Sequence, residues 1–335
     1  MSPGAKPVSG LHLLANALPA DPRHALDGAA VRGAPGAPAW PEQRLHMAPA
    51  AADTAWRETW CVDDAVNEGR EPGLHWRATP DLLFGLIELD EQPGPGRGER
   101  LRALSEQAYG RLFALLQAQG MPHLWRVWNY LAEINRDDDG LERYRWFNQG
   151  RHDAYRAAGA ATEHLVPAAS ALGCTGGPLS IAFMAGRTAP CPIENPRQIS
   201  AFHYPAQYGP RPPVFARAAL AWHGSRELLF ISGTASIVGH ESVHPGDVTA
   251  QCEETARNIH AVLGAARRHS RCGGVGPDSL VHRAYVRHAA HMDAVRGALQ
   301  RHLGGARLTL QQADVCRTEL LVEVESLAIA SVAGA

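Results

Sequence analysis

The sequence has no long apolar run, no surplus of charge and no paired cysteine spacing. None of its apolar runs approaches the ~18 residues that a membrane span needs, which predicts a soluble chain with no membrane partner. Lys and Arg number 32 against 34 Asp and Glu, for a net charge of −2. That balance supplies neither a basic field for nucleic acid nor an acidic tail, so an anionic ligand must be held by a few local arginines. The six cysteines are scattered without C-x-x-C spacing and read as reduced thiols of a cytoplasmic protein. The start, MSPGAKPVSGLHLL, lacks the charged stretch and long apolar core of a signal peptide.

The length is 335 residues, of which 45% are hydrophobic; it predicts about two domains with ample core. The expected class is α/β (α+β), with mixed sheets and packed helices. Residues 1–50, rich in Ala, Pro and Gly, read as a loosely ordered leader. Residues 51–193 form an N-terminal α/β domain and 194–335 a C-terminal one, the break falling at the two prolines of CPIENPRQ.

One stretch organises the chain: LLFISGTASIVGHESVHPGDVTAQCEETARNIHAVL, residues 228–263. Its LLFI run reads as a buried strand. Gly233 and Gly239 bracket Thr234–Ser236, so the backbone can come close to something small. Asp247 is the expected N-cap of a helix with apolar residues from Val248 to Leu263 at helical spacing. Upstream, TAWRETWCV, GLHWRAT and LLFGLIELDE read as strands and 100–119 as a helix stopped by Gly120. Trp125, Trp128 and Tyr130 read as core aromatics. In LERYRWFNQGRHDAY, Tyr144, Asn148 and Arg151 share one helical face, although as a bare pattern this is more often a solvated basic face. Downstream come a strand in LVHRAYVRH, a helix in MDAVRGALQRHLG and a final strand, ADVCRTELLVEVESLAIA.

HESVH at 240–244 satisfies the zinc-hydrolase pattern H-E-x-x-H. That chemistry needs both histidines on one helical face. Here the pentad sits between Gly239 and Pro245–Gly246, a turn context, and no metal site is assigned.

Several segments together resemble the chorismatase family, which cleaves the enolpyruvyl ether of chorismate. They are RVWNYL, RYRWFNQGR, ENPRQISAFHYPAQYGPRPPVFARA, ISGTASIVGHESVHPGDVTAQCEET, AYVRH and ADVCRTELLVEVE. The second half also looks like the reactive-intermediate deaminase (YjgF) fold on which that family is built. The resemblance implies a small-molecule substrate, chorismate, and neither metal nor organic cofactor. Carried over by position, the substrate-binding residues are Tyr144, Arg151, Tyr204 and Arg217, with Gly233 where the family varies between glycine and alanine. The catalytic glutamate is Glu323, and the cysteine of hydroxybenzoate-forming members is Cys316. The implied products are pyruvate and 3-hydroxybenzoate, with 4-hydroxybenzoate as a further product. A hydrolase making a dihydroxycyclohexadiene carboxylate, an enamine/imine deaminase and a non-catalytic sensor are the rival readings.

Glu323 and Glu325 share one face of a strand, where burial and a like charge nearby raise the pKa of one of them. Cys316 and Glu323 are seven apart, on opposite faces under strict alternation. For both to line one pocket the strand must bulge or break, and the expected place is near Arg317–Glu319.

Overall fold

The computed structural model of the chain describes residues 10–31, 38–49, 56–160, 162, 165–272, 275–304 and 307–332. Two mixed sheets and four helices form its body. The first sheet has six strands in the spatial order Ala168–Cys174, His123–Ala132, Leu179–Gly186, Leu82–Leu89, Leu74–Ala78, Asn67–Glu71. The second has seven: Cys191–Ile193, Ala218–His223, Arg226–Ala235, Val322–Ser331, Val281–Val286, Arg307–Gln312 and Ala48–Pro49.

Alternation along the strands decides what packs where. In Leu82–Leu89, Leu83 and Ile87 face helices α1 (Arg97–Gln119) and α2 (Arg143–Ala157), while Leu82, Phe84 and Leu86 face the other way. In Arg226–Ala235, Leu229 and Ile231 meet α3 (Val248–Arg267) and α4 (Met292–Leu303), whereas Leu228 and Phe230 join Phe84 between the sheets. The result is four layers, helix–sheet–sheet–helix. The LLFI run is apolar throughout because both of its faces are covered. The aromatic strand behaves as the sequence predicts: Trp125, Trp128 and Tyr130 pack between the sheets.

The helix starts and stops follow from local chemistry. Asp247 caps α3 by accepting from Ala250 N at 3.0 Å. Gly120, in the left-handed region at φ 62°, ends α1, a conformation that glycine adopts there without the cost a Cβ would bring. Helices α1 and α2 cross so closely that a Cβ on Gly150 would lie 1.9 Å from Arg102 O.

Four expectations are corrected. Residues 10–31 and 38–49 of the supposed leader carry strands: His12–Ala15, Ala25–Val31 and Glu42–Leu45 form a four-stranded sheet with Arg57–Cys61. Their order comes from long-range pairing, which composition does not register; the rest of 1–50, and the first residues of TAWRETWCV, lie outside the described residues. The strand Cys191–Ile193 pairs with Ala218–His223, so the second sheet begins before 194. The face of α2 is not a solvated basic one, for Arg143 is 0% and Arg151 2% exposed. The final strand starts only at Val322; residues 313–321 are a loop with a single bridge, Gly173 to Asp314.

Candidate active site

A pocket lies between the second sheet, the loop that carries Tyr204 and Arg217, the loop of Cys316 and the first turn of α2. Glu323 and Gly233 stand on adjacent strands at its floor. Ile231 pairs with Ser326 but Thr234 with Val324, so the strand takes one extra residue at Ser232–Gly233, a bulge that re-aims the backbone. The bulge is fastened by Ser232 Oγ, which donates to Ala216 O at 2.6 Å and accepts from Ala169 N at 2.9 Å. Gly233 leaves room for its neighbour: a Cβ would lie 1.9 Å from Glu323 Oε1, so a larger residue there makes the carboxyl shift. The small thing that this backbone approaches is the Glu323 carboxyl.

The loop break before Val322 brings Cys316 round to the same side. Its thiol donates to Glu323 Oε2 at 3.8 Å, resolving the conflict of faces. Burial, reinforced by Glu323, pushes the Cys316 thiol far up, so it is a neutral thiol, not a thiolate.

Two residues further on, Glu325 is 7% exposed and heavily bonded. It pairs with Arg126 and with Arg283 at 3.0 Å, and accepts from Ser170 Oγ at 2.7 Å and Tyr285 OH at 2.9 Å. Burial opposes its charge, but Arg283, Arg126 and these hydrogen bonds outweigh it and hold the carboxyl below the usual range. Glu323 has weaker support, from the Cys316 thiol and the more distant charges of Arg126 and Arg287. Burial first, and then the charge of Glu325, push its pKa up to about 8. The pair therefore splits, one carboxylate and one carboxylic acid, as two groups with different surroundings do.

Tyr144, from the first turn of α2, lines the pocket with its hydroxyl held by Asn148. On the opposite wall Arg217 donates to Tyr204 OH at 2.9 Å and to Ile199 O at 2.8 Å, while its buried Nε makes no hydrogen bond and has Glu194 Oε2 4.0 Å away. Such an unmet donor beside a pocket is an invitation to an anionic ligand. Tyr144, Tyr204, Arg217, Gly233, Cys316 and Glu323 thus share one pocket. Arg151 does not line it: it lies behind Tyr144, donating to Asn148 Oδ1 at 2.8 Å and stacking on Phe147. Five participants escaped the sequence reading: Arg126, Arg283, Ser170 and Tyr285, which hold Glu325, and Arg317 on the pocket wall. Charged residues inside apolar runs, as in LWRVWNY, were the available signal for Arg126.

The HESVH pentad runs through the hairpin Ile237–Val238/Glu241–Ser242 into a turn, not a helix. His240 meets Tyr208 OH at 3.3 Å, and His244 lies 3.8 Å from Glu254.

Residues 58–185 match the family model described as Chorismatase FkbO/Hyg5-like, N-terminal. A chorismatase of Streptomyces rapamycinicus is 39% identical over 82% of this chain and 83% of its own. A protein of Streptomyces hygroscopicus named 3-hydroxybenzoate synthase is 35% identical over 86% of this chain and 85% of its own. A chorismatase crystal structure, 32% identical, superimposes with a TM-score of 0.85 over 97% of this chain and 100% of that one. The YjgF likeness is only partial: Rv2704 of Mycobacterium tuberculosis, from the YjgF/YER057c/UK114 family, is 23% identical over 35% of this chain with a TM-score of 0.26. With relatives this similar along most of its length, the chain belongs to the chorismatase family.

Proposed function

We propose that this chain binds chorismate and converts it to 3-hydroxybenzoate and pyruvate, with Glu323 as the general acid. One observation carries the reading: a buried carboxylic acid, held protonated near neutral pH, lies at the floor of a pocket furnished with arginine and tyrosine. Cleaving an enolpyruvyl ether calls for a proton on its terminal methylene carbon, and an acid with a pKa near the operating pH supplies it best. Protonation turns the enolpyruvyl group into a leaving group that departs as pyruvate.

The C4 hydroxyl then attacks C3 as the ether C–O bond breaks, and its proton returns to the Glu323 carboxylate. The resulting epoxide opens at C4, and loss of the C3 proton leaves 3-hydroxybenzoate. Atoms balance, because the two products together have the composition of chorismate. Arg217, with Tyr204, holds one substrate carboxylate through a charge-assisted bond, and Tyr144 shapes the ring site. Arg151 supports this arrangement from behind by fixing Asn148 and, through it, Tyr144.

Cys316 favours the aromatic product. As a neutral thiol against Glu323 it occupies space that a water would otherwise use, and the relative named 3-hydroxybenzoate synthase points the same way. We read the chain from Cys191 onward, which carries most of the second sheet with α3 and α4, as a YjgF-type unit. The test is incubation of the purified chain with chorismate and chromatographic separation of products. Equimolar pyruvate and 3-hydroxybenzoate are expected; a diol as sole ring product contradicts the assignment of product, and unconsumed chorismate contradicts the function.

A further inference from the structure

Arg317 stands on the pocket wall next to Cys316, and the sequence reading marked it only as the place of a backbone break, not as a ligand contact. Its two hydrogen bonds both leave from Nη1, to His240 O at 2.9 Å and Ser242 Oγ at 3.0 Å. The guanidinium lies 4.0 Å from the ring of Tyr208 and 5.4 Å from that of Tyr204. Tyr208 stacks against it and the hairpin holds one corner, while Nε and Nη2 take no bond from any described residue.

The other cations on the wall differ. Arg145 lies 3.4 Å from Glu142, and Arg217 bonds Tyr204 and has Glu194 at 4.0 Å. Among the described residues no carboxylate lies within ion-pair distance of Arg317. A half-buried guanidinium, oriented by its neighbours and left with two free donors, fits a carboxylate from a ligand. The proposed substrate carries two carboxylates, and Arg151, the second arginine implied by the family resemblance, is off the wall.

We propose that Arg317 binds the enolpyruvyl carboxylate of the substrate at the pocket mouth, while the deeper Arg217 takes the ring carboxylate. This rests on the chorismate reading above and adds to it a division of labour between two arginines. It also gives the HESVH hairpin a role: His240 O and Ser242 Oγ are the clamps that aim Arg317. The mouth is a reasonable place for the side-chain carboxylate, since pyruvate is the smaller product and must leave.

The test uses the full chain, chorismate as substrate and 3-hydroxybenzoate, which has only the ring carboxylate, as competing ligand. Arg317→Met keeps the stem and removes the charge; KM for chorismate should rise about ten- to a hundredfold, the range for a lost charged hydrogen bond. The fall in kcat should be smaller, and inhibition by 3-hydroxybenzoate should stay within about twofold. Arg317→Lys should give an intermediate KM, and it stands as the test by itself if the Met variant does not fold. A KM within about twofold of the parent overturns the inference, and so does a parallel loss of affinity for chorismate and 3-hydroxybenzoate. A parent that leaves chorismate untouched overturns the functional reading instead, an outcome seen before any variant is made.

Discussion

Glu323 and Glu325 lie two residues apart on one face of the last strand, yet they hold different protonation states. Arg126, Arg283, Ser170 and Tyr285 keep Glu325 ionised, and that charge, added to burial, keeps Glu323 protonated up to about pH 8. The acid is set by the company its neighbour keeps.

Activity should therefore be present below about pH 8 and fall as Glu323 ionises above it. Glu325→Gln removes the neighbouring charge, so the alkaline limb of the kcat/KM profile should move to lower pH. An alkaline limb that stays in place in this variant contradicts the coupling.

The same group makes a stability prediction. Its folded pKa is raised above the ordinary value of 4.5, so the native state keeps a proton that the unfolded chain releases. Stability contributed by Glu323 should decline as pH rises from about 4.5 to about 8. In Glu323→Gln that part of the decline should vanish, as read from urea unfolding midpoints across the window.

Gly233→Ala places a methyl group where Glu323 Oε1 now sits. The carboxyl must swing away, and pyruvate release should fall by about tenfold or more, as a displacement of reacting groups by about 1 Å can produce. Parent-like turnover shows that the carboxyl has room to move without cost.

Cys316→Ala should still release pyruvate, because proton delivery needs no thiol. Competing exits need differ by only about 1.4 kcal/mol to change a product ratio tenfold, so the fraction of 3-hydroxybenzoate should drop in favour of 4-hydroxybenzoate or the diol. Chromatography at matched pyruvate release reads this; an unchanged distribution makes Cys316 a packing residue.

Much of the layout was legible in the chain. Periodicity located the LLFI strand and the helix after Asp247, because burial on two faces or on one stripe leaves a plain pattern. The need for a break between Cys316 and Glu323 followed from alternation, and the loop before Val322 supplies it. The N-terminal strands were not legible, since they are ordered by partners far along the chain. Nor was the position of Arg151 behind Tyr144: spacing gives the shared face of α2 but not which residue on it reaches the cavity. Arg317 was hidden for a similar reason, its orientation being fixed by a hairpin that is remote in sequence.

The central claim is that Glu323 delivers the proton that frees pyruvate. Glu323→Gln keeps the shape of the side chain and removes the transferable proton, so chorismate-dependent pyruvate release, measured on folded protein, is the direct test. The account predicts a fall of at least ~10²-fold relative to the parent; release within a few-fold of the parent would contradict it.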